Sequence, residues 1–510
     1  MPLPKLIEIV PFSKAQLDAF KTEKAKLVIP GSKSITNRAM VLAACSTGVV
    51  TLNGALWSED TEAMTDCMQR LGVKAEVAPD PEVAANRIIT VHGCGGKLPK
   101  GGTEAEPLEL FVANAGTAAR FLTAMVCLGS GVYRLSGVPR MHERPQKELI
   151  RALRALGYRI DTPNDKLPAV VHGSGPKPGP VVVSVDDSSQ FASALLLSCK
   201  VGGWEVSTPE GSNPDELPYV EMTRQMVASF PHGGGTFQIE PDASSASYFH
   251  ACNTLFPDVR PVTVMACQPP KADGGTGWQI DAEYPRLSPV SGSAAAPADA
   301  DGAASKRRNT TQVVSRKTDL GDSVMTAITI APLAATPFSF TNLGVLRKQE
   351  CERVQALRDE LLKCKARVVE TGDTLVTWPC EAASLGGATI HTCAARRRLV
   401  RSRPAARPAA PPHSATPQPH PAQADPPPPP PPRDRYHDHR MAMCFATLGL
   451  AVGGIRLEDP SCVRKTVPSF FQILAAPPPA GLGVEIWECD AASGQRVRRL
   501  VEPDDLFAAK

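Results

Sequence analysis

In PGSKSITNR, 30–38, a proline and a glycine end the strand-like TEKAKLVI, and Ser32, Lys33 and Ser34 then sit where a helix must begin. The first turn of a helix has backbone N–H groups without partners and a partial positive charge, so hydroxyls and an ammonium placed there can hold phosphate or carboxylate. Arg38, one turn on, adds a forked donor on the same face. Taken alone, this is how an ordinary serine cap looks. Starts of the same kind recur, however. NAGTAAR, 114–120, sets Gly116, where a ligand can approach the backbone, just before a helix expected near Thr117 and carrying Arg120. VPRMHERP, 138–145, reads as a polar loop with Arg140, His142 and Arg144. DSSQ brings Ser188, Ser189 and Gln190 to the head of the apolar FASALLLSC, and EPDASSASYF, 240–249, brings Asp242, Ser244 and Ser245 to the head of another helix.

Asp322 opens DSVMTAITIAPLA, where it is a cap, or a base if a substrate hydroxyl lies near it. RKQECERV, 347–354, pairs Glu350 with Arg353 at the spacing of a helical ion pair. YHDHRMAM, 436–443, sets Asp438, His439 and Arg440 before a strongly apolar helix, and DPSCVRKTVPSFF places Lys465 between a turn and a short helix. Each has a structural explanation when taken singly. Together, at least six helix starts bearing hydroxyl, glycine or cationic groups are what a cleft for a doubly anionic substrate requires.

The elements that must position these groups repeat. Segment 58–77 has Asp60 as a cap, Met64, Cys67, Met68 and Leu71 at helical spacing, Gly72 as the stop and a strand behind it. The pattern returns in 146–161, with Leu149, Ala152, Leu153 and Leu156 on one face, and more weakly in 219–240 and 352–370. Recurrence of one unit at long period argues for domains built from repeated α/β pieces. A doubly wound sheet is disfavoured because the chain has neither G-x-G-x-x-G nor a Walker sequence.

Single cores stop growing at roughly 250–300 residues, so 510 residues, 42% of them apolar, imply more than one domain. A net charge of +3 supplies no global field for nucleic acid or a membrane surface, and anion binding must be local. Fourteen cysteines are scattered without a C-x-x-C pair, which offers no zinc site or disulfide scaffold and suits a reducing compartment. The N-terminus lacks the basic start and apolar core of a secretory signal, and the longest apolar run, 441–455, falls short of the ~20 residues of a membrane span. A soluble intracellular protein is expected. Two stretches, 288–309 and 393–435, are rich in Ala, Pro, Ser and Arg, and their composition predicts disorder or an extended spacer.

The motifs PGSKSITNRA, NAGTAARFLT, PRMHERP, SSQF, DASSASYF, DSVMTAI, ECERV, DHRMAM and KTVPSFF resemble, in order and at compatible distances, those of the 5-enolpyruvylshikimate-3-phosphate (EPSP) synthase family. The resemblance implies a two-domain enolpyruvyl-transferase fold of the α/β class, an inside-out α/β barrel in which each domain is three repeats of an α/β unit. It places an inserted domain at 31–240 and a discontinuous one at 1–30 plus 241–510. It implies transfer of the enolpyruvyl group of phosphoenolpyruvate to the 5-hydroxyl of shikimate 3-phosphate, with release of phosphate, by a monomer that needs no cofactor and no metal and is a target of glyphosate.

By resemblance, Lys33, Asp322 and Glu350 are the catalytic residues, Asp322 taking the proton of the 5-hydroxyl and Glu350 handling the proton at C3. Shikimate 3-phosphate falls to Lys33, Ser34, Arg38, Ser188, Ser189, Gln190, Tyr219 and Asp322. Phosphoenolpyruvate falls to Lys33, Gly116, Arg120, Arg140, Gln190, Arg353, Arg440 and Lys465. The chain departs from the family pattern at Gln349, where many members have lysine, at Glu216 in ELPY, where they have serine, and between 264 and 314. These departures support an alternative, a catalytically impaired relative that binds the same ligands. The strand ATIHT would run directly into YHDHRMAM without 393–435, which reads as a surface loop or a translated non-coding segment. The expected compartment is the cytoplasm, or the plastid stroma if a transit peptide has been removed.

Overall fold

The computed structural model describes residues 3–211, 217–289, 310–392 and 438–508. Among them are six pairs of parallel strands. In four pairs a helix joins the two partners: Gly116–Met125 between Leu108–Phe111 and Ser130–Ser136, Gln190–Gly202 between Gly179–Val182 and Trp204–Ser207, Val324–Ile330 between Gln312–Ser315 and Phe338–Thr341, and His439–Gly449 between Thr389–His391 and Ile455–Glu458. Antiparallel strands extend three of the six pairs into four-stranded sheets and one into a five-stranded sheet.

The remaining two pairs are exchanged. Strand Ala25–Val28 leads into helix Lys33–Cys45 and strand Val49–Leu56, and Gly235–Gln238 leads into helix Ala243–Leu255 and strand Val262–Met265. The pairing runs crosswise, Val49–Leu56 with Gly235–Gln238 and Ala25–Val28 with Val262–Met265. The two passing chains touch at a bridge between Gly31 and Pro241, where Ser32 N–H donates to the Glu240 carbonyl (2.8 Å) and Asp242 N–H to the Pro30 carbonyl (2.9 Å). Residue 31 must be glycine here, because a Cβ would lie 1.9 Å from the Gly54 carbonyl oxygen.

The six helices at these pairs are buried over most of their lengths, unlike the amphipathic Lys147–Ala155, which buries only Leu149, Ile150, Ala152 and Leu153. A helix apolar all round belongs inside, and runs such as FASALLLSC therefore place helices at the centre and sheets outside. Each buried Leu or Phe contributes about 1.5–3 kcal/mol. Two cores result. One gathers side chains from Ile35 to Ile239, and the other gathers Leu3–Ile29 with Ala246–Ala508. Three of the six central helices lie in each.

Several expectations shift. PRMHE, read as loop, is the short helix Pro139–Glu143, started by a proline whose fixed φ suits the first turn. Ser288, read as the edge of a low-complexity stretch, is buried after helix Tyr284–Leu287, and its hydroxyl bonds with that of Thr254 (2.9 Å). Residues 290–309, the stretch 393–435 and Glu216 lie outside the described residues. Among the described residues no two cysteines are joined by a disulfide, and no described helix is long and apolar enough to cross a membrane.

Candidate active site

The N-termini of the six central helices carry the polar stretches, and a single cleft between the two cores collects them. Lys33, Ser34, Arg38, Gly116, Arg120, Ser188, Ser189, Gln190 and Tyr219 line it from the first core, and Asp322, Glu350, Arg353 and Arg440 line it from the second. Lys33 is the first residue of its helix, and its ammonium lies 3.1 Å from buried Asp60 at the start of helix Glu59–Arg70. Arg38 is held from three sides, by the hydroxyls of Thr223 (2.8 Å) and Ser193 (3.1 Å) and the Ser34 carbonyl (3.0 Å), with Phe121 beneath it.

Gly116 opens its helix between two buried guanidinium groups. A Cβ there would lie 2.6 Å from Arg144 Nη2 and 2.8 Å from Arg120 Nη1. Arg120 donates to the Gly116 and Pro145 carbonyls and Arg144 to the Asn114 carbonyl, while the Nε of each has no partner among the described residues. Burial, then repulsion from Arg144, lowers the Arg120 pKa well below its ordinary value. Two cations so placed call for an anion between them.

In the second core, Asp322 lies one residue before Ser323, the N-cap of helix Val324–Ile330, and faces Arg440 (3.0 Å), Arg316 (3.5 Å) and Arg353 (4.0 Å). Burial pushes its carboxyl up, but Arg440, Arg353 and Arg316 outweigh that and hold it below the usual range. Glu350 has a cation on each oxygen, Lys465 on Oε1 (3.1 Å) and Arg353 on Oε2 (2.7 Å). Burial raises its pKa also, and Arg353, Lys465 and Arg144 bring it well below normal. Asp438, fully buried, accepts from Arg353 Nε (2.8 Å), Cys351 Sγ (3.2 Å) and the Arg440 backbone N–H (3.0 Å), so one carboxylate caps the helix that carries Arg440 and aims the Arg353 guanidinium. Burial, then Lys33 and Arg440, keeps His439 neutral, and neither of its ring nitrogens has a partner among the described residues.

The walls touch across the cleft. Lys465 reaches Asp60 (3.9 Å) and the Asn114 carbonyl (3.4 Å), and Lys348 meets Asp187 (2.5 Å). Gln349 is no bystander: its amide donates to Asp322 (3.4 Å) and accepts from Arg353.

Two expected residues stand apart. Lys465 sits behind the cleft wall, in contact through Glu350. Arg140 is not in the wall; it pairs with Glu143 (2.8 Å) and donates to the Gln349 carbonyl (3.0 Å). Its place beside Gly116 is taken by Arg144, four residues on in the same motif, because the short helix Pro139–Glu143 turns the chain inward only after it ends. The sequence reading also missed Arg316 and Asp281. Asp281 accepts from Gly321 N–H (2.6 Å), Ser323 Oγ (2.5 Å) and Ser244 Oγ and so clamps the backbone on both sides of Asp322.

One cleft with cations gathered around Gly116 and around Asp322, and with the carboxylates Asp322 and Glu350 at hand, suits proton transfer during joining of two acidic molecules. The family model for EPSP synthase (3-phosphoshikimate 1-carboxyvinyltransferase) matches residues 18–397 and 432–474. The 3-phosphoshikimate 1-carboxyvinyltransferase of Trichormus variabilis is 31% identical over 479 residues, 88% of this chain and 95% of that one. The enzyme of that name from Opitutus terrae is 32% identical over 504 residues, 93% and 98%. Among solved structures, EPSP synthase from Acinetobacter baumannii superposes with a TM-score of 0.61 at 19% identity, covering 94% of this chain and 99% of that one. The enolpyruvyl transferase NikO from Streptomyces tendae gives 0.56 at 13%, covering 98% and 100%. Both structures share the fold.

Proposed function

The chain belongs to the EPSP synthase family, and from that premise we propose how its cleft performs the family's reaction. That reaction is transfer of the carboxyvinyl group of phosphoenolpyruvate to the 5-hydroxyl of shikimate 3-phosphate, a step of the shikimate pathway to chorismate and the aromatic amino acids. Residues 31–240 form one domain, and 3–30 with 241–508 form the other. The enzyme acts as a monomer in the cytoplasm.

Shikimate 3-phosphate lies against Lys33, Ser34, Arg38, Ser188, Ser189, Gln190 and Tyr219, with its 5-hydroxyl toward Asp322. Phosphoenolpyruvate lies between Lys33, the Gly116 backbone, Arg120, Gln190, Arg353 and Arg440, with Lys465 reaching it from behind Glu350 and Arg144 in the role first given to Arg140. As the hydroxyl oxygen attacks C2, its proton passes to Asp322 while C3 takes a proton from Glu350. The tetrahedral adduct then loses a methyl proton to Glu350 as the C2–O bond to phosphate breaks, and the cations hold the departing phosphate. Contact between the two walls keeps water from the adduct.

The observation that carries this reading is the placement of two ionised carboxylates, Asp322 and Glu350, against one shared cation, Arg353. The assay is phosphate release with each substrate alone and with both. Release that needs both and is lost in Asp322→Asn supports the reading; ligand binding without release shows a catalytically impaired relative.

A further inference from the structure

Trp278, Gln279 and Asp281 stand close together in sequence and hold three different parts of the molecule. Trp278 follows the strand crossing, yet its ring stacks on Phe237 of the first core, 5.7 Å between centroids and 6° between planes. Gln279 grips the crossing itself. Its side-chain oxygen accepts from Ala243 N–H (3.0 Å), and its amide nitrogen donates to the Pro241 carbonyl (2.7 Å) and to Glu240 Oε2 (3.1 Å). The Glu240 carboxylate returns to the same turn by accepting from Trp278 N–H at 3.4 Å. Gln279 is also the cap residue of the single helical turn Ile280–Glu283, in which Asp281 is buried.

Asp281 in turn accepts from Gly321 N–H (2.6 Å), Ser323 N–H (3.3 Å), Ser323 Oγ (2.5 Å) and Ser244 Oγ, so its carboxylate fixes the backbone before and after Asp322. A Cβ on Gly321 would lie 2.5 Å from the Tyr219 hydroxyl and 3.1 Å from Asp281 Oδ1, which leaves the loop carrying Asp322 wedged between a first-core tyrosine and this helical turn. The bridge between Gly31 and Pro241 is where the chain passes from one core to the other, so a change in the angle between the cores must turn the backbone there. We propose that Gln279 and Asp281 are positioning residues for Asp322, and that the turn 278–281 carries the setting of the crossing to the loop bearing that carboxylate, aiming it at the 5-hydroxyl when the two walls meet. The proposal rests on the reading of Asp322 as the base. Coupling of this kind runs through contiguous packed side chains and hydrogen bonds, and here the links are continuous from Phe237 and Pro241 to Ser323.

The test combines calorimetric binding of shikimate 3-phosphate with steady-state kinetics for wild type, Gln279→Met, Gln279→Glu, Asp322→Asn and the double variant Gln279→Met with Asp322→Asn. Methionine nearly keeps the volume and removes all three side-chain bonds. Glutamate keeps the acceptor for Ala243 and loses both donors, so it keeps the test decisive if the methionine variant does not fold. A reacting group misplaced by roughly 1 Å costs about 10²-fold, so kcat should fall by about that much in both Gln279 variants while the Kd for shikimate 3-phosphate stays within about threefold of wild type. In the Asp322→Asn background the residual turnover should be the same with and without Gln279→Met, because effects that act through one group do not add; a merely structural role would lower it again. Wild-type kcat in a folded Gln279 variant, a loss of binding as large as the loss of kcat, or a loss that persists in full in the Asp322→Asn background overturns the proposal. An Asp322→Asn enzyme that turns over like wild type would instead remove the reading of Asp322 as the base, in a variant that leaves Gln279 in place, so the two failures are distinguishable.

Discussion

Lys465 and Arg353 divide the Glu350 carboxylate between them, Lys465 Nζ on Oε1 at 3.1 Å and Arg353 Nη2 on Oε2 at 2.7 Å. Held this way the group is ionised, yet the reaction asks it to deliver a proton to C3. The conflict is resolved if the substrate phosphate draws both cations toward itself. Glu350 then loses the charges that depress its pKa, burial pushes it up, and it takes a proton from solvent.

Phosphoenolpyruvate binding should therefore be accompanied by proton uptake. The measurement is calorimetry at pH 8, where the substrate phosphate is already ionised, in buffers of different ionisation enthalpy and with shikimate 3-phosphate present. Uptake is expected in wild type and its absence in Glu350→Gln. A wild-type enzyme that binds without uptake would mean that the proton on C3 has another source.

Lys33→Ala should lower kcat/KM by about 10²–10³, the loss typical of one preorganised charge at the reacting centre. The fold should survive, because Asp60 keeps a second cation, Lys465, at 3.9 Å. Thermal unfolding within a few degrees of wild type, alongside the kinetic loss, is the expected pair of results.

Much of this site was legible before any coordinates. Asp242 and Asp438 do cap helices, and the starts at Lys33, Gly116 and Gln190 fall where the polar stretches put them. What escaped has physical reasons. Arg140 and Arg144 share one motif and one residue type, and only their places, one inside the short helix Pro139–Glu143 and the other at its C-terminal cap, separate them. Arg316 and Asp281 belong to no polar helix start, so nothing local distinguishes them from surface charges. The crosswise strand exchange is a long-range pairing that periodicity does not encode.

Gly116→Ala should raise the KM for phosphoenolpyruvate while leaving that for shikimate 3-phosphate nearly unchanged. The added methyl collides with the tips of Arg120 and Arg144, which are side chains and can withdraw, so the protein folds but one anion pocket is spoiled. An increase of about tenfold corresponds to one weakened charged hydrogen bond. Equal effects on both substrates would place Gly116 elsewhere in the reaction.

Asp322 makes stability depend on pH in a definite direction. Its folded-state pKa is depressed, so it contributes stability above its unfolded value of about 3.9 and loses that contribution as pH falls further. Wild type should exceed Asp322→Asn by about 2–3 kcal/mol at neutral pH, less than for a fully buried pair because Asp322 keeps some solvent contact. The gap should stay level from pH 8 to 5 and narrow below pH 4 in urea titrations. A gap that widened in acid would contradict the cation cluster around Asp322.

Residues 393–437 should be dispensable. The two described residues that flank them meet: Asp438 N–H donates to the Thr392 carbonyl at 2.9 Å, and Thr392 is itself anchored, its hydroxyl donating to the Glu458 carbonyl at 2.8 Å. An N–H to C=O bond between these positions is the closing bond of a β-turn if two residues separate them. Replacing 393–437 by Gly-Gly therefore supplies that turn, because glycine accepts whichever backbone angles the crossing needs. Strand Thr389–His391 and helix His439–Gly449 would keep their places, and with them Asp438, Arg440 and the charges they aim. The shortened protein should retain kcat and both KM values within about twofold and unfold no earlier than wild type, since shortening a connection lowers loop-closure entropy. A large fall in kcat with an intact fold would instead give the removed segment a part in the reaction.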